Sequence, residues 1–315
     1  MSKVSKELSI GYIGYGNMAI KRLKTIVSLK NYKTKTSYIV DKKIKENHLK
    51  NHYKSWEKIK KIKTDLIIIS IQTNEVKKIP FSLLKNAKCL LIEKPVSTNL
   101  TYFKKLRTFC FQNKITLKTG YNLRFDKGLN KAKSLLDKKL IGKLYYVKIN
   151  YSNGTSKTNN NEIGSLLDMG CHSVNLLQWL LKTNTFSNYL KVIQKNEYEN
   201  KTKDDNGFIL MKLGRTAIQM QFGFCSWKNT FELELVGSKG YIKVDSLPKW
   251  GEQIISLGRR KYPSGVPNIK AWKYNREYSF KNEMKFLLAN IISGKFSKKI
   301  NDEGFETLKC LKKIA

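Results

Sequence analysis

The sequence predicts an α/β protein in two parts. Residues 1–120 form a doubly wound parallel sheet, and residues 121–315 form an α+β domain with a mostly antiparallel sheet. Three observations carry this. Over the first 120 residues, short apolar runs alternate with lysine-bearing segments of helical spacing. That strand–helix–strand rhythm calls for parallel strands with right-handed crossovers. One of the runs, Leu66–Ile71, is nearly continuous in β-branched residues, as a strand buried on both faces requires. From Tyr189 onward the rhythm gives way to longer consecutive strands with alternating patterning and tight turns, the pattern of an antiparallel sheet.

In chain order, Leu8–Ile13 is the first strand, followed by a glycine turn and a helix over Ala19–Leu29. Ser37–Val40 is the second strand and runs into Asp41. Leu66–Ile71, Cys89–Ile92 and Ile115–Thr119 complete the series, with a helix-like segment before Cys89. In the second part, Asp126–Lys139 reads as an amphipathic helix and Leu144–Tyr151 as a strand. A polar loop, Ser152–Asn161, leads to a helix over Ser165–Leu181. The strands Tyr189–Tyr198, Gly207–Leu213, Thr216–Phe222, Phe231–Val236 and Tyr241–Asp245 follow, the last two joined by Gly237-Ser238-Lys239-Gly240. Helices over Asn282–Ile292 and Asp302–Ile314 finish the chain. Ser152–Asn161 and Trp250–Lys273 carry no interpretable pattern, and substrate specificity is expected there.

Composition narrows the function. A chain of 315 residues suits two domains. It has no apolar run long enough to span a membrane, and its start is polar and lysine-rich, so neither a membrane span nor a secretory signal is expected. Five cysteines (Cys89, Cys110, Cys171, Cys225 and Cys310) are odd in number, widely spaced and free of any CxxC pair. Reduced thiols and a cytoplasmic location are expected. The formal charge of +37 invites a nucleic-acid reading, but only seven of the 61 basic residues are arginines, the side chains suited to bidentate phosphate and base contacts. The lysines are spread over the whole chain. No specific nucleic acid is expected as a partner, although a basic surface would draw an anionic substrate.

Four groups of residues point to chemistry. Gly14-Tyr15-Gly16-Asn17-Met18-Ala19 follows the first strand and opens the first helix, fitting GxGxx(G/A). The first glycine permits the turn, the second lets a pyrophosphate approach, and the small third residue lets helix and strand pack. The pyrophosphate would then meet free amides and the positive end of the helix dipole. Asp41 ends the second strand, where a carboxylate can accept both ribose hydroxyls of an adenosine. This favours NAD, while Lys42 and Lys43 leave NADP open; a plain turn aspartate is the other reading. Ser70, at the end of the Leu66–Ile71 strand, is a further candidate cofactor contact. Glu93-Lys94-Pro95 lies beyond the carboxyl end of a strand, where open parallel sheets bind ligands. Asp168 and His172 are four apart in an expected helix and share a face, so the carboxylate can orient the imidazole as a general base needs; a buried structural histidine is the alternative. His48 and His52 are also four apart. With no third ligand nearby they read as a solvated helix face, and no metal is expected.

In combination and order, these motifs resemble the glucose–fructose oxidoreductase and inositol dehydrogenase family (Gfo/Idh/MocA). Tyr121-Asn122-Leu123-Arg124-Phe125, Asp204-Asp205-Asn206, Ser226-Trp227 and Gly237-Ser238-Lys239-Gly240 add to the likeness, which runs over essentially the whole chain. The resemblance implies a Rossmann domain followed by a domain with an open-faced sheet that often joins subunits, so a homodimer or homotetramer is expected. It implies an NAD(P)-dependent oxidoreductase acting on a sugar or polyol, free or nucleotide-linked, with Lys94, Asp168 and His172 as catalytic and substrate-binding residues. Glu93 and Asn122 would lie near the nicotinamide ribose, with Tyr121 and Arg124 near the substrate. The chain departs from the family's Pro-Asn-x-x-His loop at Gln72–Lys77, which puts the cofactor contact of Asn74 in doubt. Two alternatives stay open: transient oxidation leading to elimination, isomerisation or glycoside cleavage, and a dinucleotide-binding sensor without catalysis.

Overall fold

The computed structural model describes residues 7–43, 51–154, 163–195, 203–263, 265–294 and 296–315. Packing divides the chain into two units. The first holds Met1–Tyr121 with Phe280–Leu308, and the second holds Asn122–Ser279 with Lys309–Ala315.

The first unit is built on β1 (Leu8–Ile13), α1 (Asn17–Val27), β2 (Thr34–Val40), β3 (His52–Tyr53), β4 (Thr64–Ile69), α2 (Thr73–Val76), α3 (Phe81–Leu84), β5 (Ala87–Ile92), α4 (Leu100–Gln112) and β6 (Thr116–Thr119). Its six strands are all parallel, in the order β3-β2-β1-β4-β5-β6. This is the doubly wound arrangement expected from the sequence. The order reverses between β1 and β4, so the carboxyl ends of these strands flank the crevice where such sheets bind dinucleotides. Every residue of β4 is buried, which is why its sequence reads as one apolar run. The strand stops at Ile69, leaving Ser70 and Ile71 beyond its end. His52 corrects an expectation: it lies in β3 beside Ile39 of β2 and not on a helix face, because a two-residue strand is too short to show a period. His48 lies outside the described residues.

The second unit begins with α5 (Lys127–Asp137), capped by the Asp126 carboxylate on the Leu129 amide at 2.8 Å. Then come β7 (Leu144–Ser152), a five-residue π-helical turn (Leu166–Gly170), α6 (Cys171–Leu181), β8 (Ser187–Lys195), β9 (Asp204–Leu213), β10 (Thr216–Gly223), β11 (Thr230–Gly237), β12 (Gly240–Asp245), β13 (Gln253–Arg259) and β14 (Asn268–Tyr274). The eight strands run β14-β13-β12-β11-β7-β10-β9-β8, antiparallel except for the β7–β10 pair. α5 packs on β12, β13 and β14, while α6 and the π-turn pack on β7 and its neighbours. The other face stays open, with Leu190, Val192, Phe208 and Leu210 exposed on paired positions of β8 and β9. β13 and β14 correct the reading of Trp250–Lys273 as patternless loop. Gln253, Ile255 and Leu257 do alternate inward, but β14 is a largely exposed edge strand with no buried apolar row to reveal it.

Two last helices, α7 (Ser279–Ser293) and α8 (Lys298–Ile314), follow. Met284, Leu287 and Leu288 of α7 join Leu8, Ile10, Tyr12, Ile26, Leu66, Ile68 and Leu91 in one buried cluster. The stretch Phe280–Leu308 is therefore part of the first unit, although almost the whole second unit separates it from β6 in sequence. Among the described residues no helix is long and apolar enough to cross a membrane.

Candidate active site

In the first unit, the glycine turn sits at the end of β1. Gly14 has φ +86°, a left-handed conformation, and a Cβ there would lie 2.5 Å from the carbonyl oxygen of Ser70, so only glycine fits. Gly16 is different: a Cβ there would meet nothing within 4 Å, so the residue opens onto free space. It is also the N-cap of α1, which starts with no side-chain cap on its first amides. Asn17 is exposed, while Tyr15 and Met18 are half-buried. The buried hydroxyl of Ser70 has no hydrogen-bond partner among the described residues, a polar atom beside the turn awaiting one.

The Asp41 carboxylate accepts hydrogen bonds from two backbone amides, Tyr15 at 2.7 Å on Oδ2 and Lys43 at 2.7 Å on Oδ1. It ties the end of β2 to the glycine turn while staying half-buried, and each oxygen keeps a lone pair to offer. The side chains of Lys42 and Lys43 are exposed. Asn74 is exposed in the first turn of α2. Free amides at an uncapped helix, a bare glycine, an unpartnered hydroxyl and a fixed carboxylate fit the pyrophosphate and ribose of a dinucleotide.

Glu93 and Lys94 follow β5, both half-buried, with a cis peptide between Lys94 and Pro95. Beneath them lies a charge network that the sequence reading missed. The fully buried guanidinium of Arg22 donates to Glu93 at 2.8 Å and to Glu283 of α7. Lys118, also buried, lies 3.5 Å from Glu283 and 3.1 Å from Glu303. Burial alone would disfavour the charge on Arg22. Glu283 and Glu93 outweigh it and raise the proton affinity above the usual arginine value, so the group stays charged. The signal was present: Arg22 falls three residues after Ala19 and four before Ile26, on the buried face of α1. Tyr121 is buried in this unit.

In the second unit, Asp204 of β9 holds the start of the π-turn. Its carboxylate accepts from the Ser165 hydroxyl at 2.8 Å and the Leu166 amide at 2.6 Å. Asp168 lies half-buried in that turn, and His172, 7 % exposed, follows in the first turn of α6. The expected single helix is thus a π-turn continued by an α-helix, a widening often found at functional sites. The ring of Tyr151 meets the imidazole of His172 edge-on, with centroids 5.4 Å apart at 88°. Lys249 donates to the Tyr151 hydroxyl at 3.1 Å and lies 4.2 Å above the Trp250 ring. Arg124 clamps α6 one turn beyond His172, donating to the side-chain oxygen of Asn175 at 2.7 Å and to its carbonyl at 3.2 Å. Asn122 donates to the Ser279 hydroxyl at 2.6 Å.

The structure thus brings Gly14, Tyr15, Gly16, Asn17, Met18, Asp41 and Ser70 together at one strand-end crevice, with Glu93 and Lys94 at the end of β5. It groups Asp168 and His172 in the second unit, backed by Asp204, Tyr151, Lys249 and Trp250, which the sequence did not single out as site residues.

Residues 129–243 match the family model described as the GFO/IDH/MocA C-terminal domain. No curated protein matches the chain. Among solved structures, the chain is similar to KijD10, a 3-ketoreductase from Actinomadura kijaniata in complex with NADP and TDP-benzene: 14% identity, TM-score 0.83, 98% of this chain and 97% of that one covered. It is similar to an oxidoreductase domain protein from Kribbella flavida at 15% identity and TM-score 0.83, covering 98% and 96%. It is also similar to the UDP-N-acetylglucosamine 3-dehydrogenase GnnA from Acidithiobacillus ferrooxidans at 15% identity and TM-score 0.79, covering 98% and 97%. At these identities the likeness establishes the fold.

Proposed function

We propose, from the match of residues 129–243 to the GFO/IDH/MocA C-terminal domain, that the protein is a nicotinamide dinucleotide-dependent oxidoreductase acting on a hydroxyl or ketone of a sugar. The observation that carries the reading is the cradle at Gly14–Asn17, with its uncapped amides and the open space at Gly16. In this reading those amides hold the pyrophosphate and Ser70 supplies a hydroxyl contact. Asp41 accepts the adenosine ribose hydroxyls and repels a 2′-phosphate, so NAD is favoured over NADP. Glu93, fixed by Arg22, stands at the nicotinamide end.

The bound dinucleotide supplies the hydride acceptor or donor. His172 accepts the hydroxyl proton at a ring nitrogen during oxidation, and Asp168 holds the imidazole and its charge. The reading gives Lys94 the task of polarising the oxygen. Two similar structures, a 3-ketoreductase in complex with TDP-benzene and a UDP-N-acetylglucosamine 3-dehydrogenase, support a nucleotide-linked sugar as substrate. The basic chain suits its diphosphate. The five cysteines, four of them buried, fit a reducing compartment such as the cytoplasm. The open face of the second sheet fits a homo-oligomer.

The test is a screen of UDP- and TDP-linked sugars followed by nicotinamide absorbance, on the protein and on Lys94→Ala and His172→Asn. Each substitution is expected to lower turnover by about 100-fold or more while leaving dinucleotide affinity intact. Wild-type turnover in Lys94→Ala would contradict the assignment.

A further inference from the structure

Tyr151 is the last residue but one of β7, and Lys249 and Trp250 lie in the turn after β12. Its Cα partners are Phe222 of β10 and Phe231 of β11, which carry no charge. Titratable groups against it include Lys249, 3.1 Å from its hydroxyl, and His172, whose ring its own meets edge-on. Phe231 and Trp250, each with its centroid 5.8 Å from that of Tyr151, fix the ring plane. Tyr151 itself is buried, whereas Lys249 is exposed, so the pair reaches from the His172 ring to solvent.

We propose that Tyr151, with Lys249 as its charge partner, is a second acid–base group beside His172 that carries the hydroxyl proton in parallel with it, donating it in the reducing direction and taking it back in the oxidising one. This rests on the redox reading of the site. A bound reduced nicotinamide would supply hydride to the carbonyl carbon, and the C=O π pair would then move to oxygen. That oxygen takes the Tyr151 proton, the phenolic O–H bond breaks, and the alcohol is formed. The phenolate left behind faces the Lys249 ammonium, which stabilises it over the phenol, and solvent at Lys249 returns the proton. Trp250, held under the same ammonium, keeps Lys249 directed at the hydroxyl. Lys249 is thus a positioning residue and Tyr151 the reacting one.

The test needs no substrate. Protein labelled with carbon-13 at the tyrosine ring carbon bearing oxygen is titrated by NMR alongside Lys249→Met and Lys249→Arg. One tyrosine resonance is expected to titrate at least about one pH unit lower in wild type than in Lys249→Met, a tenfold change in proton affinity, with Lys249→Arg restoring it. Tyr151→Phe should remove that resonance; should this variant fail to fold, the Lys249 pair alone identifies the signal. If no tyrosine resonance moves between wild type and Lys249→Met, the proposal is overturned, whether or not the protein binds a dinucleotide. A shifted resonance without dinucleotide binding would overturn the redox reading and the proton step that rests on it, while leaving the pair intact.

Discussion

Gly14 and Gly16 stand two positions apart in one turn, yet they answer to different demands. Gly14 is fixed by its own backbone: a left-handed φ and a carbonyl that a Cβ would strike. Gly16 meets no such limit, since a Cβ there would enter open space, and the proposed reading gives that space to a ligand. Gly14→Ala should therefore lower the unfolding temperature, since strain and overlap together cost on the order of 1–3 kcal/mol. Gly16→Ala should fold as wild type but bind dinucleotide at least about tenfold more weakly. Thermal unfolding and titration of both variants check this, and a Gly16→Ala variant with unchanged affinity would remove the cradle from the account. Most of these residues were legible because a glycine fingerprint and a strand-end carboxylate are local signals. Arg22 was not singled out, because a lone arginine on an apolar face becomes informative only once Glu93 and Glu283 are seen beside it. Tyr151 and Lys249 were silent for the same reason: 98 residues separate them in sequence.

At the scale of elements, the strands were readable where both faces are buried, as in β4 of the first sheet, and least where the strand is short or at an edge, as in β3 of the first sheet and β14 of the second. The π-turn could not be read, because five residues of wider helix leave the apolar pattern of Ser165–Leu181 unchanged; what marks the turn is the Asp204 carboxylate at its start, supplied from a distant strand. The same holds for α7. Its apolar face is evident in sequence, but which sheet it covers is a long-range fact. If Phe280–Leu308 does complete the core of the first unit, Leu287→Ala should cost about 2–5 kcal/mol in chemical denaturation, as a fully buried leucine does. A loss below about 0.5 kcal/mol would mean that α7 lies loosely on that core. The Arg22–Glu283 pair gives α7 a second tie, since breaking a buried pair leaves an uncompensated charge.

Over the whole molecule, surplus charge and open apolar surface pull in opposite directions. Leu190 and Val192 are 70% and 62% exposed, and their β9 partners Leu210 and Phe208 are 53% and 40% exposed, an apolar corner on an uncovered sheet face. A second copy docked there would be opposed by the repulsion of two chains of +37 each. Self-association should therefore strengthen with added salt, which screens that repulsion, and Leu210→Asp should weaken it. Sedimentation equilibrium at low and high salt reads both effects; a monomer at all concentrations and salts would leave that face without the assigned partner. The claim on which the rest depends is that the first unit binds a nicotinamide dinucleotide. Calorimetric titration of the protein and of Asp41→Ala with NAD, NADH, NADP and NADPH tests it most directly. The account predicts micromolar binding of the NAD pair, weakened about tenfold or more in the variant; failure of all four to bind would contradict the cofactor assignment, and the roles given to Lys94 and His172 would fall with it.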